Sequence, residues 1–318
     1  MLSRRHLRIK VLQAVYSYLQ SGSGDLAKGE KQLHLSIEKI RELIIYQLSF
    51  ILEMRDFSAN LLEDRKKKYF PTEEDLNPNL RFVENSVLAR IEDNRAYRKL
   101  YDKYKINWAD EQSTVRKAYL ALVDKGFFQN YMEKDTVSFE DEREMLVKMV
   151  KKILEDFELL EYFYESKSIF WAFDSYQIAN LMLMKFLRSL QENYDEYADF
   201  PAIIDASGDG EDRAFMVELF RKTILTGEQY DPMIDEKASN WELERIALMD
   251  TLLIKMALVE LVEFPSIPIK VTLNEYIDIS KYYSSAKSKV FINGVLDKLI
   301  IDLKAKNMIR KTGRGLME

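Results

Sequence analysis

Hydrophobic residues recur at intervals of three and four along almost the whole chain, which is the spacing of amphipathic helices. The first run predicts a helix from about Ser3 to Leu19. The same pattern predicts further helices near residues 31–56, 83–104, 112–123, 141–163, 171–191, 212–226, 241–262, 273–283 and 288–306. No segment alternates with a period of two for long enough to require a sheet. We therefore predict an all-α fold, a multi-helix bundle.

Turn-forming residues divide this pattern into three segments. Ser21 to Gly24 closes the first helix, and Phe200-Pro201 with Ser207 to Gly210 makes the clearest later boundary. The predicted segments are a first helix (1–24), an inserted helical module (25–206) and a C-terminal helical core with a basic tail (207–318). The insertion is rich in aromatic residues, which predicts a folded module and not a tether. Those residues include Phe127, Phe128, Phe157, Phe163, Phe170, Trp171 and Phe173.

A shift of 70 residues aligns Trp171 with Trp241 and Arg143 with Arg213, with most apolar positions in step. A duplicated helical hairpin would produce this match. Chance similarity between amphipathic helices would produce it as well, so both interpretations stay open.

The composition excludes several kinds of site. The chain has 318 residues and no Cys, which excludes disulfides, thiolate metal sites and thiol nucleophiles. Its 10 Gly and 6 Pro are too few for the many turns of an all-β protein. His6 and His34 are the only histidines, and they do not form a metal-binding or catalytic motif. We therefore expect a protein that is not an enzyme, that needs no cofactor or metal, and that is suited to a reducing cytoplasm.

The charge is distributed unevenly. Residues 1–24 carry +4 and residues 303–318 another +4, so a formal net charge of −6 leaves −14 for the remainder. Basic ends attract polyanions, whereas an acidic body discourages indiscriminate binding. No segment is apolar enough to predict a membrane span. The arginine-rich, acid-free start also fits a mitochondrial transit peptide, which is a minor alternative to a cytoplasmic protein.

Two basic segments are candidates for contact with nucleic acid. Arg4 and Arg8 fall on the same helical stripe as Val11 and Val15, and since they cannot be buried without partners, we expect the first turn to project with Arg4, Arg5 and Arg8 facing outward. The alternative is a frayed, solvated terminus. The segment from Ser284 to Lys289 predicts a polar, basic turn between helices that suits phosphate or base contacts, although a plain loop would look the same.

Two further patterns carry local predictions. Pro265 to Pro268 ends one helix, and Thr272 with Glu275 resembles a capping box that begins the next. The run from Arg65 to Lys68 predicts a solvated helix end.

Residues in the C-terminal core and at the N-terminus together carry a family resemblance. In the core they are Trp241, Arg245, Ile246, Ala247, Asp250, Leu253, Glu260, Leu261, Pro268, Val271, Asn274, Glu275, Ile277, Lys281, Ser288 and the run Phe291 to Asp297. At the N-terminus they are Arg4, Arg5, Arg8 and Gln13 to Tyr16. In these residues the chain resembles the NusB family of bacterial transcription antitermination factors, in an extended form with a long helical insertion after the first helix.

This resemblance implies a protein that pairs with NusE, a ribosomal small-subunit protein, and binds the single-stranded boxA element of nascent RNA. It implies a place in the antitermination complex with RNA polymerase, notably on ribosomal RNA. Carried over by position, the RNA-binding residues are Arg4, Arg5, Arg8, Ser285, Lys287, Ser288 and Lys289, and the partner-binding residues are Tyr16 and Asp250. The sequence departs from the family at Lys287, where some members have an acid, and at Val290, which replaces a basic residue.

A second functional class remains open on the sequence alone. In it the chain is a helical-repeat scaffold that binds only proteins, the insertion is the working part and the basic ends are incidental. Salt-dependent RNA binding distinguishes the two classes.

Overall fold

The computed structural model describes residues 2–172, 174–200, 210–239, 247–285 and 287–316, and within them it is helical without a β-strand. The predicted all-α fold is therefore confirmed. The α-helices are α1 Arg4–Gln20, α2 Leu26–Lys66, α3 Glu73–Leu76, α4 Ser86–Asp93, α5 Arg95–Tyr104, α6 Gln112–Val123, α7 Gly126–Glu133, α8 Phe139–Met149, α9 Glu158–Lys167, α10 Asp174–Ser189, α11 Glu211–Thr226, α12 Asp231–Ala238, α13 Leu248–Glu263, α14 Ile269–Tyr283 and α15 Ser288–Ala305.

The chain divides into two compact units. The first combines residues 1–36 with residues 204–318, and the second is residues 37–203. The division falls within α2, after Ser36.

In the first unit, α13 is the central helix. Its residues are buried on every side, which explains why its sequence is apolar all round and lacks a polar stripe. Helices α1, α11, α14 and α15 pack against it. Apolar residues of α1, among them Leu7, Val11, Leu12 and Val15, form part of the same core.

The core of the second unit is built around aromatic side chains. Tyr46, Trp108 and Tyr164 contact one another with ring centroids 5.8 to 6.4 Å apart, and Trp171 packs on Tyr46 at 5.0 Å. Both indole N–H groups find acceptors: Trp108 donates to Ser49 Oγ (2.9 Å) and Trp171 to the backbone carbonyl of Lys39 (2.8 Å). Residues 37–203 thus form a compact helical unit, while the prediction of an insertion with the bounds 25–206 stays a prediction.

Several predicted helix bounds are wrong for local reasons. The segment predicted near 83–104 is two helices, because Asn94 ends α4 and caps α5 by accepting a hydrogen bond from the Tyr97 backbone N–H (2.9 Å). The segment near 141–163 is interrupted by a π-helical turn at Val150–Leu154. Helices α7 and α12 were not predicted at all.

Some predictions concern residues outside the described ranges. Trp241, on which the proposed duplication depends, is one of them, and the 207–210 boundary falls there except for Gly210. Among the described helices, none combines the length and the apolar character that a membrane crossing requires.

Candidate nucleic-acid interface

The start of α1 is fixed by a capping box. The Ser3 hydroxyl accepts a hydrogen bond from the backbone N–H of His6 (3.4 Å), and the backbone N–H of Ser3 donates to Nδ1 of His6 (3.3 Å). This arrangement satisfies amides that a helix start otherwise leaves free. It also fixes the direction of the first turns, which carry the three arginines.

Arg4 lies at the partly exposed edge of the first unit and pairs with the start of α11. Its Nε is 2.6 Å from Oδ1 of Asp212, and its Nη2 is 3.5 Å from Oε2 of Glu211. The guanidinium lies 4.5 Å from the centroid of the Phe215 ring. Arg4 is therefore accessible but already neutralised.

Arg5 is also partly exposed and pairs with α14. It donates two hydrogen bonds to Glu275, at 2.9 and 3.0 Å, and one to Asp278 at 2.8 Å. The hydrogen bond that Arg5 donates to Glu275 outweighs desolvation and raises the pKa of Arg5. Ion pairs of this exposure contribute little to stability, so a phosphate group can compete for the guanidinium.

The expectation that Arg8 faces outward is wrong. Its side chain is only 2% exposed, and it donates from Nε and Nη2 to the two carboxylate oxygens of Glu260, both at 2.7 Å. Burial disfavours the cation, but the hydrogen bonds and charge of Glu260 outweigh this effect, so the pKa of Arg8 is raised. Arg8 thus shares the buried stripe of α1, with a partner that local sequence did not reveal.

Glu260 is the centre of a buried polar network. Besides Arg8, it accepts hydrogen bonds from Thr272 Oγ1 (2.8 Å) and from the Tyr276 hydroxyl (3.2 Å). The predicted capping box at Thr272 is wrong, since α14 begins at Ile269 after Pro268 and Thr272 lies inside the helix. Its hydroxyl serves Glu260 and not a helix terminus.

The basic turn lies between α14 and α15 and is held from below by Asp250. The Asp250 carboxylate accepts hydrogen bonds from the hydroxyls of Ser284 and Ser288, the latter at 2.8 Å. The Ser285 hydroxyl also contacts that of Ser288 (2.8 Å). Asp250 and Ser288 are buried, whereas Ser285 is exposed. The exposed lysines of this turn are Lys287 and Lys289.

Helix α14 brings the two sets of predicted RNA-binding residues to one edge of the first unit. Arg5 pairs with Asp278, and Gln13 Nε2 donates to the Tyr283 hydroxyl (3.0 Å), so α1 and α14 run side by side in the same direction. Asp278 and Tyr283 are separated by about 7.5 Å of helix at 1.5 Å per residue. The basic turn follows α14 directly, so α14 connects the surface beside Arg5 to the cations of the turn.

The predicted partner residues occupy different environments. The side chain of Tyr16 is 39% exposed on α1, one turn beyond Gln13. Asp250 is buried beneath the turn, with both oxygens engaged by serine hydroxyls.

Sequence reasoning did not predict the buried network around Glu260 or the hydrogen bond between Ser284 and Asp250. A signal for Glu260 was present, because it is a lone acid within the apolar run of α13 and such a residue requires a buried partner. No comparable signal existed for Ser284, whose role depends on Asp250 in another helix. Among the described residues, no group of three or more His, Asp and Glu is arranged to hold a metal ion.

Comparison with known proteins gives a family for the C-terminal part of the chain. The model of the NusB family matches residues 172–300. This part of the chain is therefore similar to the NusB family. This match begins within the segment predicted as the insertion and does not include α1.

Three curated relatives, each called transcription antitermination protein NusB, match the chain in part. The protein of Salinibacter ruber is 45% identical over 105 residues, which cover 33% of this chain and 66% of the relative. That of Chloroherpeton thalassium is 34% identical over 128 residues (40% and 61%), and that of Koribacter versatilis is 36% identical over 94 residues (30% and 64%). The chain thus spans just under two thirds of the length of these relatives. No solved structure matches the chain.

Proposed function

We propose that this chain is a transcription antitermination factor that binds boxA-type single-stranded RNA together with NusE, in a complex with RNA polymerase, notably on ribosomal RNA. The observation that carries the proposal is the joint edge formed by α1, α14 and the basic turn, in a chain whose residues 172–300 are similar to the NusB family. The function is one of binding and assembly, without catalysis or a cofactor.

In this proposal, the residues predicted for RNA have two different tasks. Arg4, Arg5, Ser285, Lys287 and Lys289 contact RNA directly, because their side chains reach the surface. A phosphate would replace the carboxylate partners of Arg4 and Arg5, and the lysines would add electrostatic attraction.

Arg8 and Ser288 do not contact RNA in this proposal but hold the helices that carry the RNA-binding side chains. Arg8 fixes α1 to α13 through Glu260, and Ser288 fixes the start of α15 to Asp250. The RNA-binding side chains are thereby presented on rigid elements.

Tyr16 and Asp250 are proposed to serve the protein partner. Tyr16 offers an aromatic contact from α1. Asp250 supplies negative charge beneath the turn, which favours a basic RNA-binding protein such as NusE.

The test is a fluorescence anisotropy titration of the full chain with boxA-type RNA, with and without NusE, at several salt concentrations. We compare the wild type with Arg5→Glu/Lys287→Glu/Lys289→Glu. The triple variant should weaken binding and reduce the salt slope by about 0.7 for each phosphate contact that is lost. The matched control is Lys151→Glu/Lys152→Glu, which reverses two exposed cations outside both basic ends of the chain.

Equal affinity and slope for the triple variant and the wild type would refute the proposed RNA surface. A wild-type chain that shows no salt-dependent RNA binding, alone or with NusE, would favour the protein-binding scaffold.

A further inference from the structure

The end of α2, in the second unit, presents two aromatic side chains to solvent. Tyr69 is 91% exposed and Phe70 is 84% exposed. Their ring centroids lie 4.7 Å apart with the planes at 89°. Each ring contacts the other, and no further aromatic contact is found for either among the described residues. The edge of one ring covers part of a face of the other, and the remaining ring surface is open to solvent for stacking.

The backbone around these rings is anchored on both sides. Lys68 lies two residues after the end of α2, and its Nζ donates to the two carboxylate oxygens of Asp75 at 2.9 and 3.0 Å. The backbone N–H of Thr72 donates to Asp75 Oδ2 (3.0 Å). Pro71, which lies between Phe70 and Thr72, has its backbone φ angle fixed by its ring. Asp75 is buried, and its hydrogen bonds to Lys68 and Thr72 fix the turn that carries the two rings.

Cations precede the rings without interruption. Arg65 is exposed and has no ion pair or hydrogen bond to another described side chain. Lys66 and Lys67 pair with Glu63 (2.7 Å) and Asp64 (3.2 Å) one turn earlier. Such i,i+3 pairs at the surface contribute little and are easily exchanged. The predicted solvated helix end is thus confirmed. Because Tyr69 and Phe70 follow it directly, the segment can also bind a ligand.

We propose that residues 65–70 are a second binding surface for single-stranded RNA, separate from the edge formed by α1, α14 and the basic turn. Bases stack on Tyr69 and Phe70, while Arg65 and Lys67 contact the adjoining phosphates. Aromatic platforms next to cations are the usual means of holding single strands without reading their sequence. The proposed function supplies the identity of the ligand class, and the second surface would extend contact with the same transcript.

The charges around the tip favour a strand over an anionic membrane. Glu73 and Glu74 are exposed just beyond the rings, and Glu63 and Asp64 lie just before the cations. A flat anionic bilayer would bring lipid head groups close to these acids. A single strand needs to contact only the narrow path from Arg65 to Phe70.

The test uses the full chain with a short fluorescein-labelled oligouridylate and anisotropy as the readout. To remove the first surface, all measurements are made in the Arg5→Glu/Lys287→Glu/Lys289→Glu background as well as in the wild type. In that background, Tyr69→Ala/Phe70→Ala should weaken binding by at least about fivefold, since alanine substitution removes base stacking. Tyr69→Trp/Phe70→Trp should retain binding, which a purely structural role of these exposed side chains would not require.

The matched control is Tyr162→Ala. Tyr162 is 73% exposed on α9 in the same unit, but it stands between Glu158 and Glu165 and lacks adjacent cations before it. Its removal should leave affinity unchanged. Arg65→Glu/Lys67→Glu should lower the salt slope by about 0.7 for each phosphate contact.

The outcomes separate this inference from the proposed function. If Tyr69→Ala/Phe70→Ala binds oligouridylate like its parent, the second surface is refuted whatever happens at the first. If it loses affinity while the first-surface variant does not, the second surface stands and the proposed function fails. Binding to phosphatidylserine vesicles that requires Tyr69 and Phe70, without any effect on RNA, would overturn the inference in favour of a membrane.

Discussion

Two buried carboxylates on α13 differ in how their charge is balanced. Glu260, which is fully buried, meets the guanidinium of Arg8 in a two-pronged ion pair and accepts hydrogen bonds from Thr272 and Tyr276. Asp250 meets only the hydroxyls of Ser284 and Ser288. Within the described residues, no cation lies at ion-pair distance from Asp250.

This difference separates a closed site from an open one. At Glu260 the charges cancel inside the chain, so the network can stabilise α1 against α13 but has nothing left for a ligand. At Asp250 the hydroxyls satisfy the carboxylate oxygens without cancelling the charge. The same helix thus carries a structural anchor at one end and an uncompensated charge beneath a basic turn at the other.

The largest expected effect comes from breaking the anchor. Arg8→Met leaves Glu260 buried without its cation and should lower the free energy of unfolding by about 3 to 5 kcal/mol. The double variant Arg8→Met/Glu260→Gln removes both charges and keeps an acceptor for Thr272, so it should recover much of that loss. Urea unfolding of the two single variants and the double variant measures the coupling.

Arg4→Met is the control for the anchor, because Arg4 is paired at the exposed edge and not in the core. Its effect on unfolding should be small. Additive losses for Arg8→Met and Glu260→Gln would contradict the closed site.

The anchor also shows where sequence reasoning succeeded and where it stopped. Helical periodicity predicted α1 within one residue at each end and placed Arg8 on the stripe of Val11 and Val15. The expectation that Arg8 faces outward in a projecting first turn was wrong, because Glu260 stands 252 positions away and only the fold brings it to Arg8. The local sequence pattern predicts the bounds of helices, whereas tertiary contacts determine the partners of buried charges.

The candidate site was predictable to a similar depth. A basic turn was predicted from Ser284 to Lys289, since polar residues interrupt two apolar runs there; it does begin at Ser284, but α15 already begins at Ser288. That Asp250 lies beneath this turn could not be predicted from spacing. A charge reversal such as Asp250→Arg would disrupt the turn as well as change the charge, because both carboxylate oxygens bond the turn serines.

Asp250→Asn and Asp250→Ala therefore separate the charge of Asp250 from its hydrogen bonds to the turn. Asparagine keeps an acceptor for one serine hydroxyl and offers a donor to the other, so it should preserve the turn while weakening binding to NusE. Alanine leaves both serines without their partner and should lower the free energy of unfolding by about 1 to 3 kcal/mol. Calorimetry with NusE and urea unfolding are the two measurements. If Asp250→Asn binds NusE with wild-type affinity, the negative charge of Asp250 does not contribute to NusE binding.

The pair of Arg4 with Asp212 gives an intermediate case, in which a cation is neutralised at the surface. Asp212→Asn should release Arg4 and raise affinity for boxA-type RNA by about two- to fivefold. Anisotropy at low salt measures the gain, which should disappear as salt is added. The control is Asp212→Asn combined with Arg4→Gln, in which no cation remains to be released. The same gain in that double variant would contradict the mechanism.

The smallest effect concerns Lys311, a second cation near the anchor. Its Nζ donates to the backbone carbonyl of Phe264 (3.0 Å). Burial lowers the pKa of Lys311 from its ordinary 10.5 to about 8, although Glu260 acts in the opposite direction. Below pH 8 the folded and unfolded chains both carry this charge, and the folded chain bears the cost of burying it. Between pH 8 and 10.5 the folded chain releases the proton that the unfolded chain still binds, so this group makes folding more favourable as pH rises. Urea unfolding of the wild type and of Lys311→Met across this range should show the wild type gaining on the variant, since the lost hydrogen bond adds only a constant offset. If the difference in free energy of unfolding between the wild type and Lys311→Met does not change with pH, burial does not lower the pKa of Lys311.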